Sequence, residues 1–530
     1  MTVRAAGVLV VALGSAVAVG VAAGPVAALS PAAGYALGVA VFAAVLWLTG
    51  ALPLALTALS IPVLLVAFGV RDDFAAAVAG FADPVVFLLL AGFMLAEALR
   101  AHGVDRRVAY HVLLRVGTSP RRLVLAVMVA TASLSMLVSK TATTALMVPI
   151  ALGLVSEVTG VVDAGPAGAT PADRSVTDSA PDGGPSPAPS NFQRAMLLGV
   201  AYAASLGGVG TLVGTPPNAI VAGQLRELVG YEVTFLDWLA VGLPMVVVTL
   251  PVAWYLLAFV VYPPQVEDVT GARESARRGL ERAGELDPEG RRAVAVFAAT
   301  AVLWVVGGLG FLVSSRLPPA VYTTLFGGAG RSVFGTTGHQ GVLYYVVVGL
   351  GGVLALVVTG AAEWNDVLDV DWGTLLLLGG GISLADALVV TGATEWLAAV
   401  TVGALGPVPL AVVVLAVVAL VVSVGELASN TAMAAILTPI LVGVGPAYAS
   451  ALGTSPTTAA AFLALVGAVA ASYGFALPVA TPPNAIAFGA GSLSKDDMLR
   501  AGLPLDAVVI LLAAGTLTLL VRFVWPVVLP

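Results

Sequence analysis

The sequence predicts an all-α polytopic membrane protein with about eleven transmembrane helices and two re-entrant hairpins in inverted repeats. Of its 530 residues, 59% are apolar and 10% are charged, and motifs of the first half recur in the second. A soluble chain of this length would carry about a quarter charged residues. The bilayer is therefore the solvent of this chain. This excludes a soluble enzyme, a nucleic-acid-binding protein and a disordered scaffold.

Ten apolar runs are long enough to cross the hydrocarbon layer without interruption. They lie near 5–24, 31–49, 51–70, 84–100, 195–213, 238–262, 293–313, 341–359, 374–390 and 504–525. Three further apolar regions, 122–157, 408–448 and 457–491, are interrupted by polar residues or prolines. Unpaired backbone at membrane depth is tolerated only inside protein or beside a water-filled cavity, so each interruption needs a structural reason.

Arginine-rich segments predict the orientation, because basic residues concentrate in cytoplasmic loops. Six arginines lie between Arg100 and Arg122, where we expect an amphipathic helix at the membrane surface, and six more lie in the loop 263–292. With both in the cytoplasm, the region 122–157 enters and leaves on that side as a hairpin. The N-terminus is then cytoplasmic, and the C-terminus lies outside the plasma membrane. The segment 158–192, rich in Pro, Ser, Gly and Asp, is expected to be a disordered cytoplasmic loop.

The two halves of the chain repeat the same motifs in the same order. Residues 139–150 match 429–440 at an offset of 290, and residues 215–220 match 481–486 at an offset of 266. In the predicted layout the first hairpin opens to the cytoplasm and the second to the outside, so the repeats are inverted. Inverted repeats with helices broken at matching positions are typical of secondary transporters that bind their substrate near the midplane.

The residues at the breaks favour binding of an anion together with a cation. Thr-Pro-Pro, at 215–217 and 481–483, places a hydroxyl at an N-cap and proline at the first helical position. Ser and Thr at 139–141 and 429–431 precede Ala-rich helices in the same way. Four helix N-termini would then converge, and their free N–H groups suit an anion. The preceding half-helices end in free carbonyls, which suit a small cation such as Na⁺.

On these motifs the chain resembles the divalent anion:sodium symporter (DASS) family, which carries dicarboxylates, citrate or sulfate. The paired hairpin tips, the paired Thr-Pro-Pro-Asn loops and the stretch from Ala471 to Gly491 carry the resemblance. It implies a homodimer in which a mobile transport domain works as an elevator against a static scaffold domain. The chain would divide into N-terminal scaffold helices (1–83), a first repeat (84–230), linking scaffold helices (231–371), a second repeat (372–491) and a C-terminal transmembrane helix (492–530).

The resemblance also implies the site residues. The divalent anion would contact Ser139, Thr141, Thr215, Pro216, Ser429, Asn430, Thr431, Thr481 and Pro482. One Na⁺ would be bound by Ser135, Ser139, position 140 and Gly214, and a second by Gly425, Ala428, Asn430 and Ala480. Na⁺ is the expected coupling ion, and no cofactor is expected.

Lys140 departs from the family, which usually has Asn at this position. The chain has only two lysines, Lys140 and Lys495, and an ionisable side chain at membrane depth is functional by default. Its ammonium could replace one Na⁺ as a tethered cation, or pair with a carboxylate or sulfate of the substrate. Alternatively, desolvation could allow it to cycle protons. We include Lys140 among the substrate-binding residues.

Three carboxylates fall within the apolar regions. Glu97 and Asp386 occupy matching positions of the two halves, where we expect them to accept backbone N–H bonds or pair with arginines. Glu426 lies three residues before Ser429 and could balance the charge of Lys140, because an unpaired buried charge is costly.

The function that these features favour is secondary active transport of a di- or tricarboxylate or of sulfate. A sodium-independent anion exchanger is the alternative within that class, and an anion channel is the alternative outside it. An enzyme is not expected, because the spans contain no HExxH, GxSxG or paired-carboxylate arrangement and the chain has no cysteine. The expected partners are the anion, Na⁺, membrane lipid and a second copy of the chain.

Overall fold

The computed structural model describes residues 3–23, 29–115, 119–159, 189–266, 269–405 and 408–523. Within these ranges the regular secondary structure is helical apart from one short β-hairpin. Eight helical segments are long and apolar enough to cross a membrane, and five shorter apolar helices accompany them. Helices suit this environment because they satisfy their backbone hydrogen bonds internally. The predicted fold class is confirmed.

The N-terminal helices precede the first broken segment. They are α1 (Val3–Ala23), α2 (Pro31–Thr49), α3 (Leu54–Ala67), α4 (Phe74–Ala77) and α5 (Pro84–Ala101), with a 3₁₀ turn at Ala79–Ala82. Asp83 caps α5, since its Oδ1 accepts a hydrogen bond from the backbone N–H of Val85 at 2.8 Å.

The next helices include the first two breaks. They are α6 (Val104–Leu114), α7 (Pro120–Ser135), α8 (Lys140–Thr159), α9 (Asn191–Gly208), α10 (Pro216–Val229) and α11 (Phe235–Tyr255), which continues as a π-helical segment at Leu256–Val261. The surface helix expected between Arg100 and Arg122 is shorter than predicted, because α5 extends to Ala101 and α7 begins at Pro120. The predicted disordered loop lies outside the described residues from 160 to 188.

The linking region contains more structure than the sequence suggested. It comprises α12 (Thr270–Ala283), α13 (Pro288–Gly308), α14 (Pro319–Phe326), β1 (Gly328–Arg331), β2 (Thr337–His339) and α15 (Tyr345–Val358), with 3₁₀ turns at Gly310–Leu312 and Asn365–Val367. The strands β1 and β2 pair antiparallel. Helix α12 occupies part of the expected loop 263–292. It forms because Arg277 pairs with Glu274 and Glu281 one turn away, and because its buried alanines face α6 and α8.

The second half repeats the order of the first. Its helices are α16 (Trp372–Val390), α17 (Ala393–Leu405), α18 (Leu410–Gly425), α19 (Asn430–Val444), α20 (Ala449–Leu452), α21 (Pro456–Ala471), α22 (Pro482–Gly489) and α23 (Lys495–Phe523), with a 3₁₀ turn at Gly445–Tyr448. All four predicted breaks are therefore present, at 136–139, 209–215, 426–429 and 472–481.

The packing brings the two halves together around these breaks. Helices α9 and α21 are buried along nearly their whole length and form the centre of the molecule. The short helix α10 packs against α19 and α21, and its counterpart α22 packs against α8 and α9. Each half-helix that follows a break thus lies against the hairpin of the other half, so a site at the breaks draws residues from both halves.

Candidate functional site

The tip of the first hairpin buries a lysine without a partner. The Oγ of Ser139 accepts a hydrogen bond from the N–H of Ala142 at 3.3 Å, as an N-cap does, and Lys140 begins the helix α8. Lys140 is only 4% exposed, and its Nζ has no hydrogen-bond partner and no ion pair among the described residues. A buried ammonium with neither is costly, so Lys140 leaves an uncompensated polar group at the first hairpin tip.

Backbone carbonyls converge beside this hairpin tip. The Oγ of Ser135 donates to the carbonyl of Ala204 at 2.6 Å, which holds the end of α7 against α9. A Cβ added to Gly214 would lie 2.5 Å from the carbonyl oxygen of Gly208 and 3.0 Å from that of Ser135. Only glycine permits this close approach. Ser135 and Gly214, both predicted to bind the first cation, therefore lie together, and Gly208 joins them.

The second hairpin tip also has a serine N-cap followed by a buried polar residue, which here is the neutral Asn430. Ser429 caps α19 by accepting from the N–H of Ala432 at 3.4 Å. Asn430 is 5% exposed, and neither its Oδ1 nor its Nδ2 has a hydrogen-bond partner. A Cβ added to Gly425 would lie 3.4 Å from Asn430 Oδ1 and 3.7 Å from the carbonyl oxygen of Tyr473. Of the residues predicted for the second cation site, Gly425 therefore lies beside the unpaired amide of Asn430.

The two clusters match position by position. At the offset of 290, Ser135 corresponds to Gly425 and Lys140 to Asn430. At the offset of 266, Gly208 corresponds to Gly474 and Gly214 to Ala480. A Cβ on Gly474 would lie 3.3 Å from the Cβ of Ala480, so the second pair is in contact as the first is. Gly208 and Gly474 were not predicted, although the constant offset of the Thr-Pro-Pro-Asn motifs could have identified them.

Two asparagines hold the unwound segments in the same way. Asn218 Nδ2 donates to the carbonyls of Gly208 and Thr211 at 3.0 and 2.8 Å. Asn484 Nδ2 donates to the carbonyls of Gly474 and Leu477 at 3.1 and 2.9 Å. Both side chains are fully buried, so each amide replaces helical hydrogen bonds that the break removes. Their presence in both motifs was noted from the sequence, but this role was not.

The two threonines that precede the prolines differ. Thr481 caps α22 through a hydrogen bond from the N–H of Asn484 to its Oγ1 at 3.2 Å. Thr215 holds the same N-cap position but makes no cap bond, and its buried Oγ1 has no partner. The predicted hydroxyl cap is therefore present at α22 and absent at α10. The Thr215 hydroxyl is therefore an unpaired polar group at this break.

The predicted pairing of Glu426 with Lys140 is wrong. The carboxylate of Glu426 instead accepts hydrogen bonds from the N–H groups of Ala476 at 3.0 Å and Leu477 at 2.7 Å. Helix α18 ends at Gly425, so Glu426 lies in the break and turns toward an unwound segment whose amides need acceptors. Asp506, which the sequence did not single out, accepts from the N–H of Phe475 at 3.2 Å.

Glu97 and Asp386 pair with arginines, which is one of the two arrangements expected for them. Glu97 contacts Arg100 at 2.6 Å, and Asp386 forms an ion pair with Arg71. Both support the helices around the site rather than the site itself.

The remaining predicted residues lie on the same segments with different exposure. Thr141 and Pro482 are exposed, Pro216 and Thr431 are partly buried, and Ala428 is 7% exposed. A cavity of about 470 Å³ lies elsewhere, lined by aromatic and polar side chains that include Trp304, His339 and Tyr344. None of the predicted site residues lines it.

The chemistry at the breaks is that of binding. The described residues contain no group of three or more His, Asp or Glu side chains that could hold a metal ion. The breaks offer helix N-termini, carbonyls, the hydroxyl of Thr215, the amide of Asn430 and the ammonium of Lys140. N-termini and an ammonium attract an anion, and carbonyl and amide oxygens suit a small hard cation.

Comparison with known proteins decides the family. The model of the sodium:sulfate symporter transmembrane region matches residues 7–528. The chain belongs to this family. The family assignment confirms the resemblance read from the hairpin tips and the Thr-Pro-Pro-Asn loops.

Relatives of the symporter family match over most of the chain. An uncharacterized transporter of Haemophilus influenzae is 33% identical over 485 residues, covering 91% of each chain. The sodium-dependent dicarboxylate transporter SdcS of Staphylococcus saprophyticus is 30% identical, covering 93% of this chain and 86% of its own. The crystal structure of the YdaH transporter of Alcanivorax borkumensis shares the fold with a TM-score of 0.53 at 16% identity, covering 91% of this chain and 99% of its own. The protein is thus a multi-pass membrane transporter.

Proposed function

We propose that the protein is a secondary active transporter that couples the uptake of a small divalent anion to Na⁺, with Lys140 replacing one of the sodium ions. A dicarboxylate is the favoured substrate, because SdcS, which matches along 93% of this chain, is a sodium-dependent dicarboxylate transporter. Sulfate and citrate are the other candidates, since helix N-termini and hydroxyls also bind these anions.

The equivalence of Lys140 and Asn430 is the observation that carries this proposal. Both residues begin the helix after a hairpin break, both are buried, and the polar end of neither has a partner. At the second tip the unpaired Oδ1 of Asn430, with the carbonyl of Tyr473 nearby, suits a Na⁺ ion. At the first tip the ammonium of Lys140 supplies the positive charge that a Na⁺ ion would otherwise bring.

A tethered cation changes the energetics of the cycle. The charge of Lys140 moves with the protein in both directions, so it contributes nothing to net charge transfer. Each cycle therefore moves one positive charge fewer than a cycle with a sodium ion in that position. At about 2.3 kcal/mol per charge per 100 mV, this weakens the accumulation that a membrane potential can drive.

An elevator movement of inverted repeats is the mechanism that we propose for this cycle. The moving part would be helices α7–α11 and α18–α23, here called the transport unit, which contain all four breaks. The static part would be helices α1–α5 and α13–α16, here called the scaffold unit. This division departs from the one predicted from the sequence. Helices α5 and α16 move from the two repeats to the scaffold unit because α5 packs on α15 and α16 packs on α3, and helices α11 and α23 join the transport unit because α11 packs on α9 and on α23. The matching order of helices in the two halves and the exchange of α10 and α22 between hairpins support this division. We place the protein in the plasma membrane as a homodimer, with a cytoplasmic N-terminus and an external C-terminus.

Uptake into proteoliposomes tests the proposed function. Succinate, malate, citrate and sulfate are compared with and without an inward Na⁺ gradient. The proposal predicts saturable uptake of at least one dicarboxylate that the Na⁺ gradient drives. Uptake that is equal without any Na⁺ and requires a counter-anion would instead identify an exchanger.

A channel is the alternative from another class. It would conduct the anion without saturable counterflow, whereas a carrier accelerates the entry of labelled anion when unlabelled anion fills the lumen. The unpaired Asn430 side chain favours the sodium-coupled carrier over both alternatives, because neither of them needs a second cation position.

A further inference from the structure

A partly buried ion pair joins the transport unit to the scaffold unit. Arg226, on α10, contacts the carboxylate of Asp83 at 2.8 Å through NH2 and at 3.2 Å through Nε. The side chain of Asp83 is 2% exposed and that of Arg226 is 31% exposed. Asp83 also caps the scaffold helix α5, so its position is fixed by the scaffold unit.

Gln224, two residues before Arg226, makes a second connection. Its Nε2 donates to the carbonyl of Gly381 on the scaffold helix α16 at 3.1 Å and to that of Ala435 on α19 at 3.0 Å. The residue is fully buried. A single amide therefore bridges the scaffold unit and the second hairpin.

Tyr345 completes the contact from the scaffold side. It is 6% exposed and lies close enough to Asp83 and Arg226 to interact electrostatically with both. Its hydroxyl accepts a hydrogen bond from that of Tyr344 at 3.5 Å. Tyr345 therefore lies beside the ion pair where α15 begins.

Among the described residues of the second half, no ion pair corresponds to that of Asp83 and Arg226. Asp371 caps α16 much as Asp83 caps α5, but its carboxylate forms no ion pair in the described part of the chain. Helix α22, the counterpart of α10, contains no arginine or lysine and packs mainly on α8 and α9, whereas α10 also packs on α5 and α16. Within the described ranges, the charged contact therefore exists at one end of the pseudo-symmetric arrangement and not at the other.

We propose that Asp83, Arg226 and Gln224 form a latch that holds the transport unit in the position seen here and must open in each transport cycle. The inference rests on the proposed elevator movement. Sliding α10 past α5 and α16 separates Arg226 from Asp83, which leaves a buried charge until water reaches it. Because the latch is one-sided, it favours one end state over the other.

Distances between the two units test the latch without any substrate. The chain has no cysteine, so Leu354→Cys on α15 and Leu511→Cys on α23, at positions 65% and 63% exposed, accept spin labels in an otherwise unreactive background. Double electron–electron resonance should give one dominant distance for the labelled protein. Asp83→Asn keeps the helix cap and removes the charge, so we expect a second distance to gain about tenfold in relative population.

Matched variants separate the latch from general destabilisation. Arg226→Gln should produce the same second distance as Asp83→Asn. Asp386→Asn breaks the ion pair with Arg71, which lies within the scaffold unit, and should leave the distance distribution unchanged. Unchanged distributions in both Asp83→Asn and Arg226→Gln would overturn the latch, as would an equal shift in Asp386→Asn.

Cross-linking supplies a test that does not depend on breaking the contact. In Asp83→Cys/Arg226→Cys, a short cleavable bis-methanethiosulfonate reagent should stop dicarboxylate uptake, and reductant should restore it. The control Arg71→Cys/Asp386→Cys should transport before and after cross-linking. Full transport by the cross-linked first pair would contradict the latch. If no variant carries a dicarboxylate but the spin-label distances shift as expected, the latch stands and the proposed substrate fails.

Discussion

Lys140 and Asn430 occupy the same position of two matching helix starts, 290 residues apart, and the polar ends of both side chains are buried without a partner. Native proteins rarely leave buried polar atoms unpaired, so two such atoms at equivalent positions indicate a function. The charge of the first and the neutrality of the second give the two halves of the site different roles.

Replacing Asn430 by lysine at the second hairpin tip should prevent Na⁺ from binding there. In Asn430→Lys an ammonium takes the place of the unpaired amide oxygen, which reproduces the arrangement of the first tip. We expect uptake to lose its dependence on a Na⁺ gradient while exchange of internal for external anion persists. Counterflow assays with and without Na⁺ measure this. Retention of the original Na⁺ dependence would show that Asn430 does not bind the ion.

The two threonines at the N-caps should respond differently to the same substitution. Thr481→Val removes a cap bond and should lower the free energy of unfolding by about 1 kcal/mol. Thr215→Val removes a hydroxyl that bonds to nothing in the protein, so it should leave stability nearly unchanged and raise the KM for the anion. Thermal unfolding and uptake kinetics on both variants test the contrast. A stability loss in Thr215→Val as large as that in Thr481→Val would contradict it.

Glu426 should act through the unwound segment that it holds. Glu426→Gln keeps one carbonyl oxygen but turns an NH₂ group toward a backbone N–H, so one of the amides at Ala476 and Leu477 loses its acceptor. We expect a stability loss of about 1–3 kcal/mol and a marked fall in the maximal uptake rate. The control Glu97→Gln, which removes only the contact with Arg100, should affect uptake far less. Equal effects of the two variants would rule out a positioning role for Glu426.

The sequence predicted the helix breaks because their signals are local. Prolines after threonine, and Ser or Thr before an Ala-rich run, indicate a helix start wherever the chain later folds. The internal repeat then showed which positions of the two halves are equivalent, since a motif found twice at a constant offset marks equivalent positions. Asn218 and Asn484 could have been assigned on that ground.

Contacts between segments far apart in the sequence could not be predicted from local motifs. Glu426 was expected to pair with Lys140 because both carry charge near a hairpin tip. Its carboxylate instead accepts hydrogen bonds from the backbone N–H groups of Ala476 and Leu477. Asp506, in the middle of an apolar helix, carries no motif that connects it to Phe475. The pairing of Arg226 with Asp83 joins residues 143 positions apart, and only the folded arrangement reveals it.

The replacement of one Na⁺ by Lys140 is tested most directly by the number of sodium ions moved with each anion. In proteoliposomes, the zero-flux potential at set Na⁺ and anion gradients gives this coupling ratio for the wild-type protein and for Lys140→Asn. We predict that the variant moves one sodium ion more per anion than the wild type and therefore one more net positive charge per cycle. An identical ratio in the two proteins would contradict the account.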